Sequence, residues 1–509
     1  MIVLLRCPAP QLRRWTGRLA ARLAALPGVA VELDPSGAAA GTGRSTALLI
    51  ELERLLLRRL RPGAADPMTP ADLALPPAGS TAEVVIDLAA DALEGAAQPG
   101  TLRLAVLYDG VAGEEALLAA VLSGRLPIVE VVDVATGDVL GRANPSPETA
   151  GGLSGGIDAV SARLVTLLEK LVGLHRQGRR PTPLPSLAPR SFAPRSPYAF
   201  EARLLAASAI REIYRLCCHA PHWRVGWRMN DGDGVMERGD LSGPRWNVLP
   251  DPGHRFYADP VPVTWQGRSV LFVEDLDHHV GKGIISAIEI GPDGPVGAMR
   301  PVLEDPWHLS FPFLIAHGGA LYMIPETGGN RDVALYRCVS FPDRWERCAV
   351  LLSGLVAADV TIIPHEGRMW MFAATYDDGG GWSDCLSIWH APDLFGPWTP
   401  LAENPVLIDR DSARPAGNMV IRDGRLWRPV QDCSGGYGSA LGLAEVTRLD
   451  PEGFAQEVRH IVRPGPRWPG RKLHTLNRAG RLEVIDGTTI RPKLPALAKL
   501  VDARREPGA

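Results

Sequence analysis

Five times between residues 255 and 490 a short apolar run is broken by a glycine turn and resumes as an aromatic or apolar strand. The copies are ADPVPVTWQGRSVLFVED, SFPFLIAHGGALYMIPE, ADVTIIPHEGRMWMFAA, RPAGNMVIRDGRLWRPVQD and LHTLNRAGRLEVIDG. Taking Asp259, Ser310, Asp359, Arg414 and His474 as equivalent starts, the intervals are 51, 49, 55 and 60 residues. One such unit cannot bury its own apolar face, so repeats at this period stack, and the period is that of propeller blades with long loops. Five copies predict a five-bladed, all-β propeller over 221–492.

The rest of the chain has another texture. Trp15 is the only tryptophan before residue 220, and the other twelve all follow it. Between the two regions lies HRQGRRPTPLPSLAPRSFAPRSP, 175–197, whose six prolines remove backbone donors and favour an extended linker. Before the linker, Ile2 to Leu5, Val29 to Leu33, Val84 to Leu88 and Leu102 to Tyr108 alternate with helical patterns near Gln11 to Leu26 and Ser45 to Leu60. A helix near Glu114 to Leu122, extended stretches at Ile128 to Val132 and Asp138 to Leu140, and a long helix from Ile157 to Val172 follow. This βαβ rhythm predicts an α/β, Rossmann-like domain over 1–174 with a largely parallel sheet. After the linker, 198–220 carries Leu204, Leu205, Ile210, Ile213, Tyr214 and Cys217 at helical spacing, predicting an amphipathic helix packed on the propeller. Residues 493–509 read as a tail. The chain is thus multidomain.

With 54 basic against 57 acidic residues, no global field draws in nucleic acid. Seven cysteines without CxxC spacing suggest neither a disulfide framework nor a thiolate metal site, and no window has the length of a transmembrane segment. A cytoplasmic location is expected. The stretch Gly37 to Thr46 has glycines but lacks the lysine and spacing of a phosphate loop.

In a propeller the innermost strands surround the axis, so the five motif starts converge on one mouth. Asp259, Asp359, Arg414 and His474 are expected there, with Glu274, Glu326, Asp432 and Asp486 at the ends of the following strands and Asn418 beside Arg414. A ring of carboxylates edged by Trp and Tyr suits sugar chemistry, which needs an acid near the leaving oxygen and a base or nucleophile opposite. Asp259 and Asp359 are the expected pair for that chemistry, with Glu326 a further candidate. Glu274, Arg414, Asn418, Asp432, His474 and Asp486 would bind substrate. The other role open to such aspartates is to bond backbone N–H groups and tie blades together. Glu274, Asp275, Asp277, His278 and His279 offer metal-ligating groups near one strand end, but neighbours on a strand point to opposite faces. No metal is assigned, and the sequence names no cofactor. Trp382, Trp389, Trp398 and Trp427 are expected mainly in blade packing.

The segments FYADPVPV, FVEDLDHHVGKGIISA, HLSFPFLI, YMIPETGGNRDVALYR, FPDRW, RPAGN, PVQDCSGGYG and LHTLNRAGRLEVIDG resemble the amino-terminal propeller domain of glucosamine inositolphosphorylceramide transferases. That domain is similar to five-bladed glycoside hydrolase propellers, where the resemblance implies a blade-one Asp as base or nucleophile and a blade-three Asp in support. Asp259 and Asp359 match these positions. The blade-four acid of those hydrolases has no counterpart in Arg414 to Asn418, which leaves Glu326 or Glu274 for that role. Leu102 to Asn144 resembles a degenerate formyltransferase-like domain, with Asp138 at that family's late Asp. The resemblance implies a carbohydrate-active enzyme, a glycosyltransferase or a glycoside hydrolase-like protein, of glycan or glycolipid assembly. It would make or break a glycosidic bond at the axis, with a carbohydrate or glycolipid head group as partner and a nucleotide sugar as a possible donor. Two alternatives stand beside it: a non-catalytic sugar-binding module, and a formyl or acyl transferase acting on an amino sugar.

Overall fold

The computed structural model describes residues 1–509 except 39–47, 54–62, 80, 96–97, 191–195, 378, 469–470 and 499–509. Most of the Gly37 to Thr46 loop, most of the helix expected from Ser45 to Leu60, part of the linker and most of the tail therefore lie outside the described residues. The chain divides into two compact units, one of 1–208 with 378–381 and one made of the remainder.

In the first unit a seven-stranded sheet has the strands β1 (Ile2–Arg6), β2 (Ala30–Asp34), β3 (Val84–Asp87), β4 (Leu102–Tyr108), β5 (Val111–Ala112), β6 (Val129–Asp133) and β7 (Val139–Ala143). Its order is β2-β1-β3-β4-β6-β7, with β5 on β4. The ladders joining β2, β1, β3 and β4 are parallel, whereas β5 and β6 pair with β4, and β7 with β6, antiparallel. The sheet is mixed rather than largely parallel, because ValAspValAlaThrGlyAsp (132–138) is too short for a crossover and turns back as a hairpin. Helices α1 (Arg14–Ala24), α2 (Glu114–Leu122) and α3 (Gly152–Arg176) belong to this unit. α3 is buried along most of its length and runs past His175, where the linker was expected to begin. The proline-rich stretch after it is pinned to the unit: Leu184 N–H donates to Val139 O at 2.9 Å and Arg190 N–H to Asp109 O at 2.9 Å.

Helix α4 (Pro197–Cys217) forms as its spacing predicts but is not packed as expected. Only Glu201 is fully buried on it, while Leu205, Ile210, Ile213 and Leu216 are exposed. The side that is covered is the one carrying Glu201, Leu204 and Ser208, not the broader apolar face.

The second unit holds five antiparallel sheets of the propeller. Blade 1 is built from Arg255–Trp265, Arg268–Asp277, Lys282–Gly291 and Gly294–Leu303. Blade 2 comprises Ser310–His317, Ala320–Glu326, Asp332–Ser340 and Arg344–Ser353, and blade 3 begins with Val356–His365, Arg368–Tyr376 and Cys385–Ala391. Val420–Arg422, Arg425–Asp432, Ala440–Asp450 and Gly453–Val462 make blade 4. Blade 5 is closed by strands from both ends of the unit: Leu476–Ala479 and Leu482–Thr488 are joined by the earlier Trp223–Met229, with Asn247–Val248 at its edge.

Each seam between blades is filled by apolar side chains from both faces. Phe272 and Val261 meet Met323 and Tyr336 between blades 1 and 2, and Ile324 and Leu335 meet Ile362 and Met371 between 2 and 3. Phe372 and Ile388 meet Met419 and Leu426 between 3 and 4; Trp427 and Leu441 meet Leu476 and Ile485 between 4 and 5. Val484 and Trp227 then meet Leu271 and Tyr257 between 5 and 1, completing the ring. Burying each such side chain contributes roughly 1.5–3 kcal/mol, so the seams hold the ring.

Candidate functional site at the axis mouth

The inner strands of blades 1 to 3 share a bulge that sets the site. Ladder register breaks between Ala258 and Val261, Ser310 and Phe313, and Ala358 and Thr361. In each break one residue takes left-handed backbone: Asp259 (φ 50°), Phe311 (φ 41°) and Asp359 (φ 53°). Non-glycine residues seldom adopt this conformation, and a bulge re-aims the side chain it carries. The structural equivalent of Asp259 and Asp359 is thus Phe311, one residue beyond the Ser310 expected from the sequence. Opposite the bulges, Ala258 pairs with Glu274 and Ser310 with Glu326, which brings those two glutamates to the same end of their blades.

Asp259 is buried and saturated. Its Oδ1 lies 3.1 Å from His474 Nε2 and accepts from Thr475 Oγ1 at 3.2 Å, while its Oδ2 accepts from Phe311 N–H at 3.2 Å. His474 Nδ1 reaches Asp486 Oδ1 at 2.6 Å, and Asp486 also accepts the N–H groups of Thr475 and Asp259 at 2.9 Å each. Trp223 covers the imidazole, with ring centroids 4.0 Å apart. Burial alone would lower the His474 pKa, but Asp486 and Asp259 outweigh it and raise the group to about 10. Burial pushes Asp259 up, and His474 and Arg414 more than offset this, holding it below the usual carboxylate range. Ligand atoms of Asp259, His474 and Asp486 lie within 4.8 Å of one another, a spacing a metal could use. Here both imidazole nitrogens are already engaged by carboxylates, so the arrangement is a carboxylate–imidazolium–carboxylate triad.

Asp359 sits in a second, linked group. Arg414 Nε donates to its Oδ2 at 2.5 Å and Gln431 Nε2 to the same oxygen at 2.8 Å. The Arg414 guanidinium lies 4.7 Å from the Tyr437 ring centre and 4.0 Å from Glu326 Oε2. The Glu326 carboxyl accepts no hydrogen bond among the described residues, where that long contact is its one ion pair. Burial, then the negative charge of Asp359, raises its pKa to about 8, with Arg414 working the other way. A carboxyl that holds its proton near neutral pH beside ionised groups is equipped to donate it. Glu274 lies 3.3 Å from His308 Nε2; burial raises its pKa, His308 partly offsets that, and the charge of Asp259 adds to the rise.

Asp259, Asp359, Glu326, Glu274, Arg414, His474 and Asp486 are therefore brought together. Asn418 and Asp432 are not. Asn418 N–H donates to Asn477 Oδ1 at 2.7 Å on the seam between blades 4 and 5. Asp432 accepts Ser434 N–H at 2.9 Å and lies 3.8 Å from Arg463, so it fastens a loop. Its neighbour Gln431 has the inward place, as alternation along a strand requires. Gln431, Tyr437, Thr475 and His308 had no signal of their own in the repeat, although all four lie inside the quoted motifs PVQDCSGGYG, LHTLNRAGRLEVIDG and HLSFPFLI. The Glu274 to His279 cluster diverges: Asp275 takes Arg255 and Ser286, and His278 bonds His222 at 3.0 Å. Trp389 and Trp427 are buried and Trp398 is partly so, whereas Trp382 is 40% exposed and stacks on Tyr376 at 4.3 Å. In the first unit, Asp138 lies in the β6–β7 turn, where its carboxylate takes Thr136 Oγ1 at 2.9 Å and Arg180 at 3.0 Å.

Residues 253–485 match the family described as glucosamine inositolphosphorylceramide transferase 1, N-terminal. The propeller is similar to that domain. A glucosamine inositolphosphorylceramide transferase 1 of Oryza sativa subsp. japonica is 29% identical over 249 residues, 46% of this chain and 33% of the relative. Its namesake in Arabidopsis thaliana is 32% identical over 208 residues, 40% of this chain and 27% of the relative. The chain thus spans a third or less of the length of these transferases. Similar solved structures include a family 117 glycoside hydrolase from Zobellia galactanivorans, at 12% identity and TM-score 0.33, covering 48% of this chain and 77% of that one. An exo-β-1,3-galactanase from Clostridium thermocellum has 13% identity and TM-score 0.34, covering 55% of this chain and 64% of that one.

Proposed function

We propose that the axis mouth acts on the sugar of a glycan or glycolipid head group, making or breaking a glycosidic bond. The observation that carries this is Glu326: a half-buried carboxyl beside the Arg414–Asp359 pair that accepts no hydrogen bond among the described residues and has its pKa raised to about 8. In this reading Glu326 protonates the leaving oxygen. Asp259, held ionised by His474 and Arg414, supplies negative charge toward the developing oxocarbenium centre. Arg414 and Gln431 keep Asp359 in place. The family likeness supports an inositol-containing glycolipid as the first acceptor to try.

One observation favours a second reading. Asp259 has its oxygens taken by Phe311 N–H, Thr475 Oγ1 and His474, the pattern of an aspartate that ties blades together, and on that reading the mouth binds a sugar without reacting. The two separate in one experiment: wild type and Glu326→Gln are tested against nucleotide sugars, free glycans and inositol-containing glycolipid head groups, with product analysis. Turnover by wild type, with binding but no turnover by Glu326→Gln, supports the enzyme. Equal binding without product from either supports the module.

A further inference from the structure

Three histidines outside the axis mouth gather where blade 5 closes on blade 1. The segment entering blade 5 is fastened to the one leaving it: Cys218–His219 pairs with Arg491–Pro492, and Thr489 N–H donates to His222 O at 2.9 Å. His278 stands in the turn after Arg268–Asp277 of blade 1. Across the seam His222 Nδ1 lies 3.0 Å from His278 Nε2, and the half-buried His219 ring stacks on His278 with centroids 4.4 Å apart. His222 is 1% exposed, and its far nitrogen, Nε2, lies 3.3 Å from Asp251 Oδ1, an oxygen that also accepts Gly253 N–H at 2.8 Å. A carboxylate at Nε2 favours the His222 proton there, which leaves the Nδ1 lone pair aimed at His278.

We propose that His222 Nδ1 and His278 Nε2 bind a divalent late transition-metal ion (zinc, nickel or copper), with His219 turning to supply a third nitrogen. Imidazole is a ligand these ions share. Two nitrogens that each lie about 2.0–2.1 Å from one ion stand roughly 2.9–3.4 Å apart, so the present spacing needs little change. Asp251 on the far nitrogen of His222 is the outer carboxylate that metal-bound histidines carry, fixing both tautomer and ring orientation. On binding, the hydrogen between the rings moves to His278 Nδ1, both rings stay neutral, and the ion takes two lone pairs, so no proton is released. The triad of Asp259, His474 and Asp486 differs in having both imidazole nitrogens held by carboxylates. The bound ion ties the strand that carries Trp223 to blade 1 and so holds the indole that covers His474. The inference goes beyond the proposed function and does not rest on it.

The test is calorimetric titration and thermal melting of the full chain, stripped with EDTA and then given zinc, nickel, copper, calcium or magnesium ions alone. Wild type should bind zinc, nickel and copper, copper most tightly, and melt at a higher temperature with them. Calcium and magnesium, which prefer oxygen ligands, should do neither. His278→Ala should bind at least about tenfold more weakly, and Asp251→Asn about 10- to 100-fold more weakly. Cys217→Ser, which removes an exposed thiol close in sequence, should bind as wild type does. A melt without metal checks that each variant is folded, and a second readout needs no variant: electron paramagnetic resonance of the copper-loaded wild type should show coupling to at least two imidazole nitrogens. The proposal is overturned if none of the three ions raises the melting temperature, if folded His278→Ala binds as wild type does, or if Cys217→Ser abolishes binding. Resonance from oxygen ligands alone, or equal stabilisation by calcium or magnesium, also overturns it.

Discussion

Arg414 Nε lies 2.5 Å from Asp359 Oδ2, an ion pair between the starts of blades 4 and 3 with both side chains nearly sealed from solvent. Removing one partner strands the other charge in a low-dielectric site, which costs far more than the pair is worth against an apolar replacement. Arg414→Met is expected to lower unfolding free energy by about 3–5 kcal/mol in urea titrations. Asp359→Asn/Arg414→Met should recover a large part of that loss. If the two single variants and the double are additive, the pair is not coupled.

Glu326 has no such partner. Glu326→Gln should leave the folded state at least as stable as wild type, because a neutral amide replaces a half-buried group that resists ionising. Turnover, by contrast, should fall about 10²- to 10⁴-fold, the range for loss of a general acid or base. A thermal melt and a rate measurement on the same preparation distinguish these effects.

Among the groups of the site whose proton affinity is raised, His474 and Glu326 make stability fall as pH rises above neutral. His474 gains its proton affinity on folding, so its contribution is complete below the ordinary histidine value and is lost as pH climbs toward about 10. Glu326 is likewise raised, so its contribution is complete below the ordinary glutamate value and fades as pH passes through about 8. Urea midpoints measured from pH 6 to 10 should decline, and Glu326→Gln should flatten the lower half of that decline. Turnover should drop above about pH 8 for the same reason.

Gly417 tests the seam between blades 4 and 5. A Cβ there would stand 2.0 Å from the Leu476 carbonyl oxygen, and its φ of 140° is one that other residues seldom adopt. Gly417→Ala should destabilise by about 3 kcal/mol or more, since neither clash nor backbone can relax without shifting an inner strand. An unchanged melting temperature would contradict the packing described for that seam.

The number of blades was legible because in each one a glycine turn joins the inner strand to an aromatic or apolar second strand. The bulge was not: placing Phe311 rather than Ser310 beside Asp259 depends on a one-residue extra in the ladder, which periodicity does not register. Asp432 is the charged residue at the end of its strand, but strand alternation gives its neighbour Gln431 the inward place. The α4 stripe carried a clear helical period, but period alone does not say whether an apolar face is covered. The hairpin that makes the first sheet mixed was hidden in a turn short enough to be missed between two apolar runs.

Blade 5 has a consequence for how the chain is made. Trp223–Met229 has its ladder partner roughly 250 residues downstream, in Leu482–Thr488. Throughout synthesis of blades 1 to 4 this strand emerges with an unfilled edge, and no circle exists until the last blade leaves the ribosome. The axis mouth, which draws Asp259 from blade 1 and His474 from blade 5, is therefore assembled last, and a ribosome that stalls before residue 488 releases a fan of blades with open edges at both ends.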